Sequence, residues 1–376
     1  MYKRLKKSIS IIMLTVFITL NFSQCCYGES KKTPLRVDAV SAIAIDSISG
    51  RVLFEQNGYS LLPIASTTKI VTALVALNYG KLDSEFTVSK NAASIRGSKV
   101  GYKENEKITL HELLYGLMFK SGNDAAITIA EGIGGSIEGF CKLMNEYCLE
   151  IGMINSNFES PHGLDSKNHY STAYDLAIAT KKAKEIPTFN EIVSSKVVPA
   201  NKYNFTREYQ NINKLLYQMP NANGVKTGYT GGAGKCLVSS VNKGEGDIII
   251  VTLNCTPRWE ETKKIFNYVD ENYEYKKIAS KDEILDTVKI KDGTEDLEVK
   301  LKKDIVLPVK KDEKINMNIN LPTSVIYPIK ENDVVGSLII SNENDELLYE
   351  QLVSNKDINE KSFYEKLKDK MVNDQQ

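Results

Sequence analysis

Ser66 and Lys69 are the residues of this sequence that first suggest covalent chemistry. A serine and a lysine three positions apart on a helix lie one turn apart on the same face. A serine hydroxyl is a poor nucleophile until a base removes its proton, and a desolvated or crowded lysine can lose its charge and become that base. Ser66 is therefore a candidate nucleophile and Lys69 its candidate base. An N-cap serine followed by a surface lysine gives the same pattern, so this stretch alone does not decide.

Two further polar motifs occur in the same chain. Ser121-Gly122-Asn123 begins 55 residues after Ser66, and Lys226-Thr227-Gly228 begins a further 105 residues on. Each motif lies at a boundary between predicted elements, where polar side chains can line a cleft. A second Ser-x-x-Lys, at Ser240 and Lys243, straddles a strand end and a turn, so its side chains would not share a helix face. Order, spacing and setting together indicate a composite site.

The elements that must position these motifs include both strands and helices. The apolar run behind Lys69 predicts a buried helix that begins at Ser66 and ends at Gly80. Two β-hairpins are predicted, with strands at 42–45 and 51–54 and at 237–241 and 248–253. Lys226 is expected at the start of a strand. Further helices are predicted at 111–118, 125–131, 137–151, 172–184 and 260–273.

Residues 1–28 predict a secretory signal peptide that is not part of the fold. A basic region at 3–7 precedes a short apolar run at 9–20 and small residues near 28. An uncleaved anchor is the alternative, but the run is short for a membrane span. We therefore expect a secreted protein that works outside the cytoplasm, in the cell wall or at the outer face of the cytoplasmic membrane.

The sequence pattern changes beyond residue 276. Short β-like runs with many charges and no long helix predict a small all-β module at 277–355, after a first domain at 35–275. Residues 356–376 are predicted to be a C-terminal tail or a short amphipathic helix, since Phe363, Leu367 and Met371 recur every four residues. A short interfacial helix would give peripheral membrane contact through this end, whereas the mixed charge and short length of the segment favour a tail.

Composition and cysteine usage exclude several function classes. The 376 residues carry no formal net charge, which argues against a nucleic-acid partner held mainly by charge. The cysteines after the predicted signal fit neither a disulfide framework nor a zinc-site spacing; they are Cys141, Cys148, Cys236 and Cys255. Cys236 and Cys255 fall on adjacent predicted strands and could face each other, but small buried apolar side chains are the favoured interpretation for all four. No metal or organic cofactor is implied.

With their surroundings, the three motifs resemble the active-site signature of penicillin-recognising serine D,D-peptidases and β-lactamases. The stretches 63–69, 119–126, 161–165 and 224–230 are similar to one branch, the low-molecular-mass D-alanyl-D-alanine carboxypeptidases of the peptidase S11 family. The resemblance implies an α/β fold of the β-lactamase/transpeptidase type, with an antiparallel sheet flanked by helices, followed by a small all-β sandwich domain. The two hairpins predicted above fit such a sheet.

The resemblance also implies a mechanism. Ser66 would attack the carbonyl between two D-alanines at the end of a peptidoglycan stem peptide, Lys69 would accept its proton, and water would hydrolyse the acyl-enzyme. Repulsion between Lys69 and Lys226 in one site would lower the pKa of both. Ser121 would relay the proton towards the leaving amine. Asn123 would hold the cleft and bond to the substrate amide.

Substrate-binding roles follow from the same resemblance. Backbone N–H groups of Ser66 and Tyr229 would form an oxyanion hole. In the Lys226-Thr227-Gly228 motif, the lysine and the threonine would meet the terminal carboxylate. Arg258 fits the place of an arginine with the same duty, because a guanidinium grips a carboxylate in a fork; an ordinary surface arginine is the alternative.

Several polar residues near the motifs receive no catalytic role. They are interpreted as structural, as bracing, or as unassigned: His111, Asp124, His162, Asp165 and His169.

β-Lactam antibiotics are the second expected class of ligand, and three alternative functions stay open. A serine β-lactamase would need a glutamate-bearing loop, and Glu159 precedes Pro161-His162-Gly163 without the surrounding pattern. A wall-binding or antibiotic-sensing protein would be acylated without turnover. Endopeptidase activity on peptide cross-links is a narrower alternative.

Overall fold

A computed structural model describes residues 34–322 and 326–367. The predicted signal peptide at 1–28 lies outside the described residues, as does the predicted tail from residue 368 onward. Among the described residues, no helix combines the length and the apolar character needed to cross a membrane. The α-helices, in chain order, are α1 (Lys69–Tyr79), α2 (Lys90–Ser94), α3 (Leu110–Phe119), α4 (Asn123–Gly134), α5 (Ile137–Glu150), α6 (Ala173–Lys184), α7 (Pro187–Ser194), α8 (Leu215–Gln218) and α9 (Arg258–Asn272).

The β-strands form one large sheet in each half of the chain and several short pairs. In chain order they are β1 (Ser41–Asp46), β2 (Val52–Gln56), β3 (Glu85–Thr87), β4 (Lys107–Thr109), β5 (Val197–Val198), β6 (Tyr209–Gln210), β7 (Ala222–Thr230), β8 (Gly234–Asn242), β9 (Asp247–Leu253), β10 (Tyr273–Ala279), β11 (Asp286–Val288), β12 (Leu297–Leu301), β13 (Ile305–Lys310), β14 (Asn316–Asn320), β15 (Val334–Ser341) and β16 (Glu346–Ser354).

An antiparallel sheet in the order β2-β1-β9-β8-β7 is the frame of the part of the chain before β10. In its central register, Ala44 pairs with Ile250, which also pairs with Ser239. Every residue of β1 is buried, because helices cover both faces of the sheet. Helix α6 packs on β1 and β9, and α9 packs on β8 and β9. Both predicted hairpins and the predicted sheet flanked by helices are confirmed.

Helix α1 is the centre of the helical layer. It is buried from Lys69 to Ala76 and contacts α3, α4, α5 and α6. A helix that is apolar on all sides belongs in a core, and the prediction of a buried helix here is confirmed. The prediction that Ser66 caps this helix is wrong, because Ala65–Thr68 forms a 3₁₀ turn and α1 begins at Lys69. The 3₁₀ turn leads directly into α1, so the two side chains still lie about one turn apart.

Strand β7 begins earlier than the sequence indicated. It runs from Ala222 to Thr230, so Lys226 lies in the middle of the strand and not at its start. Since β7 is the last strand in the sheet order, it lies at the sheet edge and pairs only with β8 within that sheet. The strand, rather than a loop, therefore positions the Lys-Thr-Gly motif.

The C-terminal part of the chain is rich in strands, as predicted. Strands β11-β12-β16-β15-β14 form an antiparallel sheet, and β10 pairs with β13. Side chains of both sheets share a second hydrophobic core, which makes a small sandwich. Its buried members include Ala279, Leu297, Val299, Leu307, Val309, Leu338 and Ile340.

Polar contacts join this β-rich part to the sheet that contains β1 and β2. The guanidinium of Arg51, just before β2, forms a two-point ion pair with Glu313 and also donates to the carbonyl of Pro308 at 2.6 Å. The hydroxyl of Tyr275 donates to Asp46 Oδ1 at 2.6 Å. The side chains of the ion pair are 8% and 10% exposed, so solvent screens it less than a surface pair.

The four described cysteines are buried and free. Cys236 and Cys255 form no disulfide, and burial raises the pKa of both thiols. A buried cysteine of this kind packs as a small apolar side chain.

Candidate active site

The 3₁₀ turn at Ala65–Thr68 presents Ser66 to Lys69. Lys69 Nζ lies 2.9 Å from Ser66 Oγ and donates a hydrogen bond to it. Ser66 is half-buried, whereas Lys69 is completely buried. A base within hydrogen-bond reach of an accessible hydroxyl is the geometry that nucleophile activation requires.

Lys69 is surrounded by neutral acceptors. Its Nζ also donates to Asn123 Oδ1 at 2.8 Å and to the carbonyl of His162 at 3.0 Å. Burial holds the pKa of Lys69 well below its usual value, repulsion from Lys226 lowers it further, and the negative charge of Asp124 opposes both. The sequence argument allowed for either desolvation or crowding by a second cation; both act here, and loss of solvation is the larger cause.

Lys226 is the second buried lysine of the site. Its side chain is 1% exposed, and its Nζ donates to the carbonyl of Thr227 at 2.7 Å. Burial lowers the pKa of Lys226 to about 7, and the nearby Arg258 guanidinium adds to the effect. Lys226 is thus poised to change charge near neutral pH, although the cation that adds to this shift differs from the one the sequence indicated.

The Ser121-Gly122-Asn123 motif lies at the junction of α3 and α4. Helix α3 ends at Phe119, and Ser121 adopts a left-handed conformation with φ 57°. Non-glycine residues rarely adopt this conformation, and such residues are enriched at functional sites. Ser121 and Asn123 are 4% and 2% exposed. The junction therefore turns two polar residues into the interior, where Asn123 reaches Lys69.

The close approach of β7 to the 3₁₀ turn brings the two walls of the site together. A Cβ atom at Gly228 would lie 3.1 Å from Ser66 N and 3.1 Å from the carbonyl oxygen of Ile64. Glycine lets the strand backbone pack directly on the turn, because a Cβ atom here would force strand and turn a few tenths of an ångström apart. Thr227 is half-buried and the Tyr229 side chain is 67% exposed, so both flank an open face.

Arg258 occupies the first position of α9. Its Nη1 donates to the carbonyl of Gly228 at 2.7 Å and to that of Cys236 at 2.9 Å, which braces β7 against β8. The guanidinium carbon lies 4.9 Å from the centre of the Trp259 ring. Among the described contacts, its buried Nε has no hydrogen-bond partner. The carboxylate-binding role of Arg258 stays a prediction.

The loop at 160–165 contributes backbone and bracing groups that sequence reasoning left without catalytic roles. Its His162 carbonyl accepts from Lys69, and burial, with the charge of Lys69, lowers the pKa of the His162 imidazole to about 4. Asp165 accepts from Thr230 Oγ1 at 2.6 Å and from Gly232 N at 2.9 Å. The stretch 161–165 drew attention to this loop in the sequence. The role of the His162 carbonyl could not be predicted there, because every residue has a backbone carbonyl whatever its side chain.

The two other histidines have different surroundings. His169 Nε2 lies 2.8 Å from Thr68 Oγ1, and its Nδ1 accepts from the backbone N–H of Glu159. His111 packs against the rings of Tyr115 and other aromatic residues. These contacts give structural partners to both histidines, which the sequence had left unassigned.

The carboxylate of Glu159 is engaged in local hydrogen bonds. Its carboxylate accepts from Ser166 Oγ at 2.5 Å and from the backbone and side-chain nitrogens of Asn168 at 3.2 Å. These bonds close a surface loop. Across residues 34–322 and 326–367, no cluster of three His, Cys, Asp or Glu side chains could hold a metal ion.

Two family models match the chain. The model described as D-alanyl-D-alanine carboxypeptidase, peptidase S11, matches residues 28–256. The model described as penicillin-binding protein 5, C-terminal domain, matches residues 273–360. The two matches cover both parts of the fold.

Individual relatives span nearly the whole chain. D-alanyl-D-alanine carboxypeptidase DacF from Bacillus subtilis (strain 168) is 32% identical over 382 residues, 97% of each chain. D-alanyl-D-alanine carboxypeptidase DacA from Haemophilus influenzae is 27% identical over 388 residues, 98% of each. Among solved structures, penicillin binding protein 5 from Haemophilus influenzae aligns with a TM-score of 0.75 at 27% identity, covering 87% of this chain and 99% of that one.

Proposed function

Since this chain belongs to the D-alanyl-D-alanine carboxypeptidase family of serine-type hydrolases, we propose that it removes the terminal D-alanine from peptidoglycan pentapeptide stems through an acyl-enzyme on Ser66. The observation that carries the proposal is the 2.9 Å contact between Ser66 Oγ and the Nζ of the fully buried Lys69. A lysine in that setting can be neutral at the pH of growth and can take the proton of the serine.

In the first step, Ser66 Oγ attacks the carbonyl carbon between the two D-alanines. A C–O bond forms, and the hydroxyl proton passes to Lys69 Nζ. The developing oxyanion accepts hydrogen bonds from the backbone N–H groups of Ser66 and Tyr229, and each such donor is typically worth about 3 kcal/mol in acyl transfer. The close packing of Gly228 on the turn supports this arrangement, because it brings the two backbones together.

In the second step, the C–N bond breaks and D-alanine leaves. Ser121 relays a proton to the departing amine, and Asn123 bonds to the substrate amide while it holds Lys69. Water then adds to the ester on Ser66, the C–O bond breaks, and the shortened peptide leaves as a carboxylate. The serine recovers its proton in this step.

The terminal carboxylate of the substrate is the group that sets specificity in this proposal. Lys226 Nζ donates to the Thr227 carbonyl and Arg258 to the Gly228 carbonyl, so both cations lie beside the same stretch of β7, which supports a shared carboxylate-binding role with Thr227. A buried ammonium and a guanidinium attract a carboxylate strongly because little water competes. Penicillin carries a carboxylate beside a reactive amide carbonyl, so covalent acylation of Ser66 by penicillin follows from the same geometry.

The cellular setting is also proposed. The basic and apolar pattern of residues 1–28 supports export, and the substrate lies outside the cytoplasm in the cell wall. We further propose domains at 35–275 and 277–355. Residues 356–376 are then a tail or short helix, and the exposed rings of Phe363 and Tyr364 support peripheral contact with the membrane surface.

Mass spectrometry after mixing with penicillin tests the proposal. One adduct on Ser66 is expected, and none in Ser66→Ala, whose fold is checked by its melting temperature. Release of D-alanine from a pentapeptide separates the enzyme from a sensor that is acylated without turnover. Rapid hydrolysis of penicillin with no lasting adduct would favour a β-lactamase instead. A folded wild-type chain that forms no adduct and releases no D-alanine would refute the proposal.

A further inference from the structure

Asp124 is a buried carboxylate to which the proposed reaction assigns no role. Its side chain is completely buried. Its oxygens accept hydrogen bonds from three consecutive backbone N–H groups, those of Val100 at 3.0 Å, Gly101 at 2.8 Å and Tyr102 at 3.2 Å. Hydrogen bonds to an ionised acceptor are about twice as strong as neutral ones, so this carboxylate fixes the loop at 96–102.

The loop held by Asp124 lies against the side chain of Asn123. Asn123 Nδ2 donates to the carbonyl of Arg96 at 2.7 Å, and Asn123 N donates to the carbonyl of Ser98 at 2.8 Å. A Cβ atom at Gly97 would lie 2.8 Å from Asn123 Nδ2, so the loop backbone packs tightly on the carboxamide.

The contact with Arg96 decides which way the carboxamide of Asn123 points. A carboxamide has a donor end and an acceptor end. Because the Arg96 carbonyl takes the donor end, the oxygen faces Lys69 Nζ at 2.8 Å. If the loop moved away, the carboxamide could rotate and present its NH₂ group to the ammonium, which also donates.

We propose that Asp124 is a positioning residue for the proposed acyl transfer: it holds the 96–102 loop so that Arg96 directs the oxygen of Asn123 onto Lys69, and it keeps a negative charge facing that lysine. The inference rests on the proposed function and adds a residue to the same site. Asp124 acts on Lys69 in two ways, by orienting Asn123 and by its own negative charge. Its replacement should therefore change the rate and the pH dependence of acylation, which the loss of a purely structural brace would not do.

Asp124→Asn is the test variant because it keeps the size of the side chain. Its new NH₂ group cannot accept from the loop N–H groups, so the loop loses part of its anchor. We expect penicillin acylation and D-alanine release to fall about 10- to 100-fold, as for a small misplacement near a reacting group. The melting temperatures of all variants are recorded to show that they remain folded.

A double-mutant cycle separates positioning from general weakening. In the Asn123→Ala background, at a pH where Lys69 is already neutral in every variant, Asp124→Asn should slow acylation little further, because the side chain through which it positions Lys69 is absent and the charge effect no longer changes the fraction of neutral lysine. Asp165→Asn is the matched control, since it removes a carboxylate that anchors another part of the site, at Thr230 and Gly232. The fold-decrease in acylation rate caused by Asp165→Asn should multiply with the fold-decrease caused by Asn123→Ala. If the fold-decreases caused by Asp124→Asn and Asn123→Ala also multiply, the proposal is overturned.

The pH profile of acylation provides a second readout. The titratable groups that face Lys69 are Asp124 from α4, Lys226 from β7 and His162 from the 160–165 loop. Removing the negative charge lowers the pKa of Lys69 further, so the acid limb should move to lower pH in Asp124→Asn. A limb that stays at its wild-type position would contradict the proposal. A wild-type chain without acylation or D-alanine release would instead contradict the proposed function itself.

Discussion

Gly228→Ala tests how closely the oxyanion hole depends on the packing of β7 against the 3₁₀ turn. The added Cβ would meet Ser66 N, the Ile64 carbonyl oxygen and Ala65 Cβ, each at 3.1 Å. Gly228 does not have a positive φ, so alanine adopts its backbone conformation without strain and the variant tests the contact alone. Relief of the contact requires a shift of a few tenths of an ångström between strand and turn.

A shift of that size matters because the proposed hole spans both elements. Oxyanion donors work at about 2.7–3.1 Å, and removal of one donor typically costs about 100- to 1,000-fold in rate. A partial displacement of the N–H groups of Ser66 and Tyr229 should therefore slow acylation about 10- to 100-fold, below the cost of complete removal. The change is expected in the chemical step more than in initial binding.

The assay is the rate of covalent labelling by a fluorescent penicillin, followed with D-alanine release from a pentapeptide. Gly231→Ala is the matched control, because it lies in the turn after the same strand and a Cβ there meets nothing within 4 Å. It should label at the wild-type rate. A Gly228→Ala protein that is folded and labels as fast as Gly231→Ala would refute the reasoning.

Two further predictions concern pH and stability. The kcat/KM for D-alanine release should rise with pH as Lys69, whose pKa burial holds well below its usual value, loses its proton. It should fall as pH passes about 7 and Lys226 loses its charge, and a profile that does not fall between about pH 6 and pH 9 would contradict the role of Lys226. Glu313→Gln should lower the free energy of unfolding by about 1–3 kcal/mol in urea titrations, since it leaves Arg51 without its ion pair. Glu146→Gln, in an exposed pair, should cost less than about 0.5 kcal/mol. The pKa of Glu313 is depressed to about 2, so its contribution should be present at neutral pH and disappear as pH falls from about 4 to 2.

The fold was largely accessible from local pattern. The alternating and continuous apolar runs at β1–β2 and β8–β9 predicted both hairpins, and the periodic runs predicted α3, α5, α6 and α9 to within a few residues. These elements follow from short-range spacing and from turn residues, which act within a few positions of the chain. The change of pattern after residue 276 likewise reflects composition alone.

Where local pattern failed, a distant contact was the reason. Ser66 does not cap α1, because the turn at Ala65–Thr68 packs against β7, more than 150 residues later in the chain. Strand β7 extends past its apolar residues because it pairs with β8 from Ala222 onward. Secondary-structure propensities of single residues cannot predict either contact, because both form only when the sheet and the helical layer are assembled.

The sequence by itself determined which chemistry is available, because its three motifs supply two serines, two lysines and an asparagine. Apolar residues around these motifs predict the buried elements that carry them. Only the tertiary structure decided the state of those groups. The pKa of Lys69 depends mainly on complete burial, that of Lys226 on burial and on Arg258, and the orientation of Asn123 on a loop held by Asp124. Burial and long-range charge are properties of the packed chain, so residue spacing could identify the participants but not set their protonation or direction.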